Sequence, residues 1–168
     1  KIIDFGSSCF SDQKLYTYIQ SRYYRAPEVI LGYDYSTEID IWSFACVAAE
    51  LKLSYPIFSG ENEDEQVGLI AEVIGLPEPA FYQNTERGKM YFGEGASPLK
   101  DRDNIEIEPK TRLLTNLFAD ADFADFLSRI FVWDPKERIT PLEALRHKWI
   151  MKGLPTEIRQ QHMQYLAE

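Results

Sequence analysis

The sequence is short of the features that mark most specialised protein classes. It carries only two cysteines, Cys9 and Cys46, in 168 residues. That is too few for a disulfide framework, so a reducing intracellular setting, cytoplasmic or nuclear, is the expectation. Basic residues are scarce as well: 18 Lys and Arg stand against 27 Asp and Glu, a net charge of −9. General binding to nucleic acid or to a membrane surface needs basic faces that displace counterions, so neither is expected as a partner. Long apolar runs are missing. The most apolar stretch, Ile39 to Leu53, is broken by Asp40, Glu50 and Lys52, which makes it too short and too charged to span a bilayer. Lys1, Ile2 and Ile3 run straight into Asp4, so the opening residues do not read as the apolar core of a secretory signal. Neither His147 nor His162 has a Cys or acid at metal-ligand spacing, and neither is read as a ligand. Gly and Pro, nine each, are near ordinary usage, which excludes collagen-like and low-complexity chains.

What is present is a core-forming composition. With 45% hydrophobic and 14% aromatic residues, the chain can bury a core and suggests about one domain. Lys1 to Ile3 suits a short buried strand that ends in a turn at Asp4-Phe5-Gly6. Ser7 to Tyr24 is polar, hydroxyl-rich and without helical period, hence a loop. Pro27 suits the first turn of a short helix, where its missing N–H costs nothing. Ser36 or Thr37 can cap a helix through Ile39, Ile41, Trp42, Phe44, Val47, Ala48 and Leu51. Its apolar residues surround the axis, which predicts burial on most sides. A second helix is expected after Gly60, opening on Glu61, Glu63, Asp64 and Glu65 and stopped by Gly75 and Pro77. The acidic run reads as a solvated helix start.

Residues Glu78 to Leu117 break this pattern and read as an irregular insertion, of the kind usually functional or docked on a surface. Helical spacing returns at Phe123, Phe126, Leu127, Ile130 and Phe131. Thr140-Pro141-Leu142-Glu143 is a capping box with Pro at the first helical position, followed by Leu145, Trp149 and Ile150. The tail from Thr156 to Glu168 suits one more, weakly amphipathic helix. Beyond Gly32 the fold class reads as mostly α.

Four short motifs carry a resemblance. Asp4-Phe5-Gly6 and Ala26-Pro27-Glu28 resemble the two ends of a protein-kinase activation segment, here residues 4–28. The stretch DIWSFACVAAE (Asp40 to Glu50) resembles the buried kinase helix that begins D-x-W-S. WDPKERIT (Trp133 to Thr140) resembles the kinase D-P-x-x-R element. One such triplet would be weak; four in order along the chain are specific. IDFGSSC followed by YTYIQSRYYRAPEVILG is similar to the DYRK family more than to its HIPK and CLK neighbours, and the insertion at about 78–117 fits the wider CMGC group. Lys148 departs from the pattern, standing where Pro is usual; Pro there only stiffens a helix start.

The resemblance implies a fold and a set of roles. Residues 1–154 would be the second half of a kinase C-terminal lobe, within an α+β bilobal parent, and 155–168 a tail helix. The implied parent is an ATP- and Mg²⁺-dependent dual-specificity kinase. It would phosphorylate Ser/Thr of protein substrates, at proline-directed sites, and its own Tyr18. Asp4 would hold the metal that bridges and neutralises the phosphates. Phe5 would pack inward and set the facing of Asp4, and Ile3 would line the nucleotide pocket. Tyr16 and Tyr18 form a Y-x-Y pair. Phosphate on Tyr18 would order the loop only with cations near, and Arg22 and Arg25, four and seven residues on, have the bidentate fork that suits it. Ser21 to Arg25 would shape the pocket for the residue after the target Ser or Thr. Glu28 and Arg138 would form a buried structural ion pair, and Asp40 would accept backbone N–H groups of a catalytic loop.

The Gly-rich phosphate loop, the V-A-I-K lysine and the H-x-D catalytic loop, all of which precede D-F-G in kinases, do not occur in the sequence. They supply positioning and charge stabilisation that Asp4 cannot replace, so the 168-residue piece alone is expected to be inactive. Two other readings stand beside the enzyme: a non-catalytic pseudokinase that keeps the lobe as a binding module, and a truncated helical interaction domain.

Overall fold

The computed structural model describes residues 1 and 3–165, with side chains through residue 160. Residues 166–168 of the expected tail helix lie outside the described residues. The described chain is helical and, among the described residues, contains no β-strand, only isolated bridges at Phe10–Gln13 and Lys100–Glu106. A 3₁₀ turn at Arg22–Tyr24 leads into α1 (Pro27–Ile30), followed by the long α2 (Glu38–Leu53) and α3 (Glu63–Ile74). Then come α4 (Pro79–Tyr82), α5 (Glu86–Phe92), α6 (Leu114–Leu117) and α7 (Ala121–Ser128). A second 3₁₀ turn at Pro135–Glu137 precedes α8 (Pro141–Leu145), α9 (Lys148–Gly153) and α10 (Thr156–Tyr165).

The helix starts follow local chemistry. Thr140 and Glu143 close the reciprocal capping box of α8, and Pro27 and Pro141 occupy first-turn positions. Asn62 caps α3 by accepting from the Glu65 N–H, and Gly75, at φ 86°, ends that helix in a conformation that disfavours side chains. Thr37 occupies the N-cap of α2 without a side-chain bond; the Ser36 and Thr37 carbonyls accept the Ile39 and Asp40 N–H groups instead.

Trp42, fully buried in the second turn of α2, organises the core. Its ring stacks on Phe58 at 5.8 Å and meets the edge of Phe131 at 5.0 Å, while Phe58 and Phe131 are 5.2 Å apart. Each such ring removes a large apolar surface from water, worth about 1.5–3 kcal/mol. A second aromatic layer joins α7 to α9: Trp149 packs on Phe123 and Phe126, with centroids 4.6 and 5.0 Å away.

Several expectations need correction. Neither Lys1 nor Ile3 lies in a strand, because no described residue offers a neighbouring strand to bond the backbone, and Ile3 is exposed; Ile2 lies outside the described residues. α2 is buried on one side, through Ile39, Ile41, Trp42, Ala45, Cys46 and Ala49; Phe44, Val47 and Leu51 lie on its open face. The insertion is not irregular throughout, since α4, α5 and α6 lie within it. Thr85 caps α5, and Tyr91 buries its ring, so short helices form there without a long apolar period. The helix expected through Leu142 and Ile150 is two helices, broken where the His147 ring caps α9 by accepting the Trp149 N–H at 3.2 Å.

Candidate functional site

The expected site residues gather along the segment from Asp4 to Glu28 and the starts of α2 and α3. Asp4 has a left-handed backbone, φ 63°, which Asp tolerates better than most residues. Gly6 keeps the space beside its carboxylate open: a Cβ there would lie 3.4 Å from Asp4 Oδ1. The Asp4 side chain is exposed and bonds to no described residue. Phe5 is 66% exposed and Ile3 79%. Both side chains stand open, with no described apolar surface against either.

From Ile19 onward the segment is fixed to its scaffold. Gln20, at φ 70°, donates to the Ile39 carbonyl at 2.9 Å and to Ser43 Oγ at 2.6 Å, and accepts the Ala26 N–H at 2.9 Å. Ser43 in turn donates to the Tyr24 carbonyl, and the Tyr24 hydroxyl donates to Glu50 at 2.7 Å. That bond to Glu50 is the main cause of a raised Tyr24 pKa. One amide side chain thus holds a strained residue to the first two turns of α2. The sequence reading did not assign Gln20; a long amide beside the Arg-Tyr-Tyr-Arg run is the signal that could have found it.

Tyr18 lies against both an arginine and an acid. Its hydroxyl donates to Glu63 Oε1 at 2.7 Å and accepts from Arg25 Nη1 at 2.5 Å, and the Arg25 guanidinium covers its ring at 3.9 Å. Burial, then the bond to Glu63, raises the Tyr18 pKa, so the phenol stays a donor. Arg25 is buried and anchored by the Ile19 and Gln20 carbonyls at 3.0 and 2.7 Å. Arg22 does not reach Tyr18. The 3₁₀ turn directs it to the carbonyls of Glu61 and Gly60, at 2.5 and 3.4 Å, where it ties the loop to the approach of α3. The structure therefore brings Arg25 and not Arg22 to the tyrosine. Tyr16 is exposed, and its carbonyl accepts from the Tyr35 hydroxyl at 2.5 Å.

The acidic start of α3 is not simply solvated, which corrects the sequence reading. Glu65 is buried, accepts the Glu61 N–H at 2.8 Å and pairs with Arg102 at 3.2 Å. Glu63 pairs with Arg87, and Asp64 accepts from the Tyr91 hydroxyl at 2.9 Å. Loop, α3 and insertion meet at these carboxylates.

Beneath the segment, Arg138 grips Glu28 through two bonds of 2.8 and 2.9 Å, with both side chains wholly buried. Arg138 also donates to the Glu38 and Val132 carbonyls at 2.7 and 3.2 Å and lies over the Trp42 ring at 5.2 Å. Asp40 is exposed on the wall of a cleft of about 280 Å³ shared with Cys9, Lys14 and Tyr35. It accepts no side-chain hydrogen bond from a described residue. Cys9 is half-buried with Sγ 3.9 Å from the Tyr35 hydroxyl, and burial pushes the Cys46 thiol far up. His147, unassigned in the sequence, is buried and bonded to Asp125 at 2.9 Å, a pairing 22 residues apart that no local pattern announces.

A family model for the protein kinase domain matches residues 1–150. The chain belongs to the protein kinase family. Among curated relatives, it is 52% identical over 155 residues to the serine/threonine-protein kinase ppk5 of Schizosaccharomyces pombe, covering 90% of this chain and 18% of that protein. It is 49% identical over 154 residues to human dual specificity tyrosine-phosphorylation-regulated kinase 4, covering 89% and 30%. Against the Drosophila melanogaster kinase 2 of that name it is 44% identical over 163 residues, covering 95% and 23%. The latter two relatives place the chain with the DYRK kinases, and the helical fold agrees with the C-terminal lobe of a kinase. The chain spans less than a third of the length of each.

Asp4 is the residue that could hold Mg²⁺. Its carboxylate supplies the hard oxygen that ion prefers and has no competing partner among the described residues. The donor chemistry fits, as a single ligand: no group of three or more potential metal ligands occurs among the described residues.

Proposed function

We propose that the chain supplies the activation segment and helical base of an ATP- and Mg²⁺-dependent protein kinase that phosphorylates Ser or Thr of protein substrates and its own Tyr18. The observation that carries this reading is the arrangement around Tyr18, a half-exposed side chain whose hydroxyl is in bonding contact with a buried, pre-anchored arginine. Arg25 pays little ordering entropy to bind phosphate, because two carbonyls already fix its guanidinium.

Asp4 would hold Mg²⁺, which when bound bridges and neutralises the nucleotide phosphates. Its open carboxylate and the space left by Gly6 support that role. Gln20, Ser43, Tyr24 and Glu50 would fix the part of the segment that receives the peptide. A proline after the target Ser or Thr would sit against Ser21 to Arg25. Glu28 and Arg138 would hold the far end of the segment without touching substrate. The two free cysteines suit an intracellular site of action. The 168-residue chain alone would transfer no phosphate.

The test compares the full-length protein with its Asp4→Asn variant, using a protein substrate, ATP and Mg²⁺. Loss of transfer on the order of a hundredfold or more in the variant is expected, since a metal ligand acts on transition-state charge. Equal activity in both would overturn the role of Asp4. No transfer by the wild-type protein under any condition would favour a pseudokinase.

A further inference from the structure

Glu63 occupies a position that a phosphate on Tyr18 would need. Its Oε1 accepts from the Tyr18 hydroxyl at 2.7 Å, while its Oε2 is held by Arg87 Nη2 from α5. Side chains from three segments therefore meet at one carboxylate. Arg87 is well placed to change partners. Its stem passes Gly32, where a Cβ would stand 3.5 Å from Arg87 Cδ, and its Nε is buried with no hydrogen-bond partner. A donor left unpaired in a dry position is unusual in folded proteins. Arg25 approaches Tyr18 from the other side.

We propose that Arg87 is a second phosphate-binding residue for phosphorylated Tyr18, alongside Arg25, and that Glu63 occupies the phosphate position in the unmodified protein. The inference rests on the reading of Tyr18 as the autophosphorylated residue. In the transfer, the γ-phosphoryl group of ATP passes to Tyr18 Oη; the hydroxyl proton is released and ADP leaves. The donor that held Glu63 then no longer exists. In its place stands a group of charge about −1.5 to −2 at pH 7. Two anions cannot share that contact distance cheaply in a partly dry site. Glu63 withdraws, and the guanidinium it neutralised is free to take phosphoryl oxygens through Nη2 and the unpaired Nε. A planar fork offering adjacent N–H donors is the geometry phosphate accepts best. Because Arg87 belongs to α5, the modified loop becomes tied to the insertion, and Glu63 passes from a stabilising contact to a repulsive one.

The experiment uses full-length protein with phosphate on Tyr18 verified by mass spectrometry, in wild-type, Arg87→Gln, Arg87→Lys and Glu63→Gln forms. The readouts are the rate at which a tyrosine phosphatase removes that phosphate and the change in Tm that phosphorylation causes. Arg87→Gln should speed dephosphorylation on the order of tenfold, by losing a charge-assisted contact that keeps the phosphate docked; Arg87→Lys should fall between. Glu63→Gln should lower the Tm of the unmodified protein and enlarge the Tm rise on phosphorylation, a reversal of sign that a merely structural contact would not give. Wild-type dephosphorylation of phosphorylated Arg87→Gln, or an unchanged Tm rise in Glu63→Gln, would overturn this inference alone. A wild-type active enzyme with no phosphate on Tyr18 would overturn the underlying reading and this inference together.

Discussion

Replacing Arg138 by Met should be among the most destabilising single changes in this chain. The substitution keeps most of the volume but strands Glu28, a carboxylate with no exposure. It also removes the donor that serves the Glu38 and Val132 carbonyls. Breaking one side of a buried pair costs about 3–5 kcal/mol, because the remaining charge keeps its desolvation penalty and loses its partner. The cost of the two carbonyls overlaps with that figure rather than adding to it in full. The double variant Glu28→Leu with Arg138→Met separates these contributions. Removing both charges abolishes the stranded carboxylate, so most of the loss should return, leaving about 1–3 kcal/mol for carbonyls without a donor. Urea denaturation of the full-length protein, followed by tryptophan fluorescence, reads the change, since Trp42 lies against Arg138. A loss under about 1 kcal/mol for Arg138→Met, or a double variant no better than the single one, would show that the pair does not carry this stability.

Three further outcomes follow from particular contacts. The Asp125 carboxyl is held below the usual range first by its bond to His147, then by Arg129 and Lys148. A depressed folded pKa stabilises above the unfolded value of about 3.9 and is lost as pH falls through the folded one. Tm should therefore drop as pH is lowered below about 4, and Asp125→Asn should flatten that drop; an identical acid profile would contradict it. Gly88→Ala should destabilise by about 1–3 kcal/mol, against the usual gain from Ala in a helix, because a Cβ there would lie 2.2 Å from the Tyr82 carbonyl oxygen. A raised Tm would show that α4 shifts freely. Gln20→Ala should loosen residues 19–26, with faster amide exchange at Ala26, whose N–H bonds to the Gln20 side chain; unchanged exchange would remove Gln20 as the fastener.

What the sequence made legible was chemistry that acts over short range. The capping box at Thr140, the Pro27 start, the Gly75 stop and the aromatic period through Phe126 are decided within a turn or two, and each occurs in the structure. The pairing of Tyr18 with Arg25 was implied by the family resemblance, since residue type and spacing alone fit solvated side chains equally well. The path of Arg22 in the unmodified loop was not legible, because it depends on the 3₁₀ turn that points Arg22 at the Glu61 carbonyl. Glu65 read as solvated because an acidic helix start usually is, yet its burial depends on Arg102, 37 residues away. His147 capping α9 and bonding Asp125 has the same long-range origin. The open face of α2 at Phe44, Val47 and Leu51, and the exposure of Ile3 and Phe5, went the other way. Apolar character there predicted a packing surface that the described chain does not supply.

The proposed function stands or falls on whether the full-length protein places phosphate on its own Tyr18. The most direct measurement is phosphopeptide mapping of full-length protein produced in cells that lack tyrosine kinases, in wild-type and Asp4→Asn forms. Phosphate on Tyr18 is expected in the wild type, and its loss in Asp4→Asn. Phosphate on Tyr18 in both forms, or an active wild-type enzyme with Tyr18 unmodified, would contradict it.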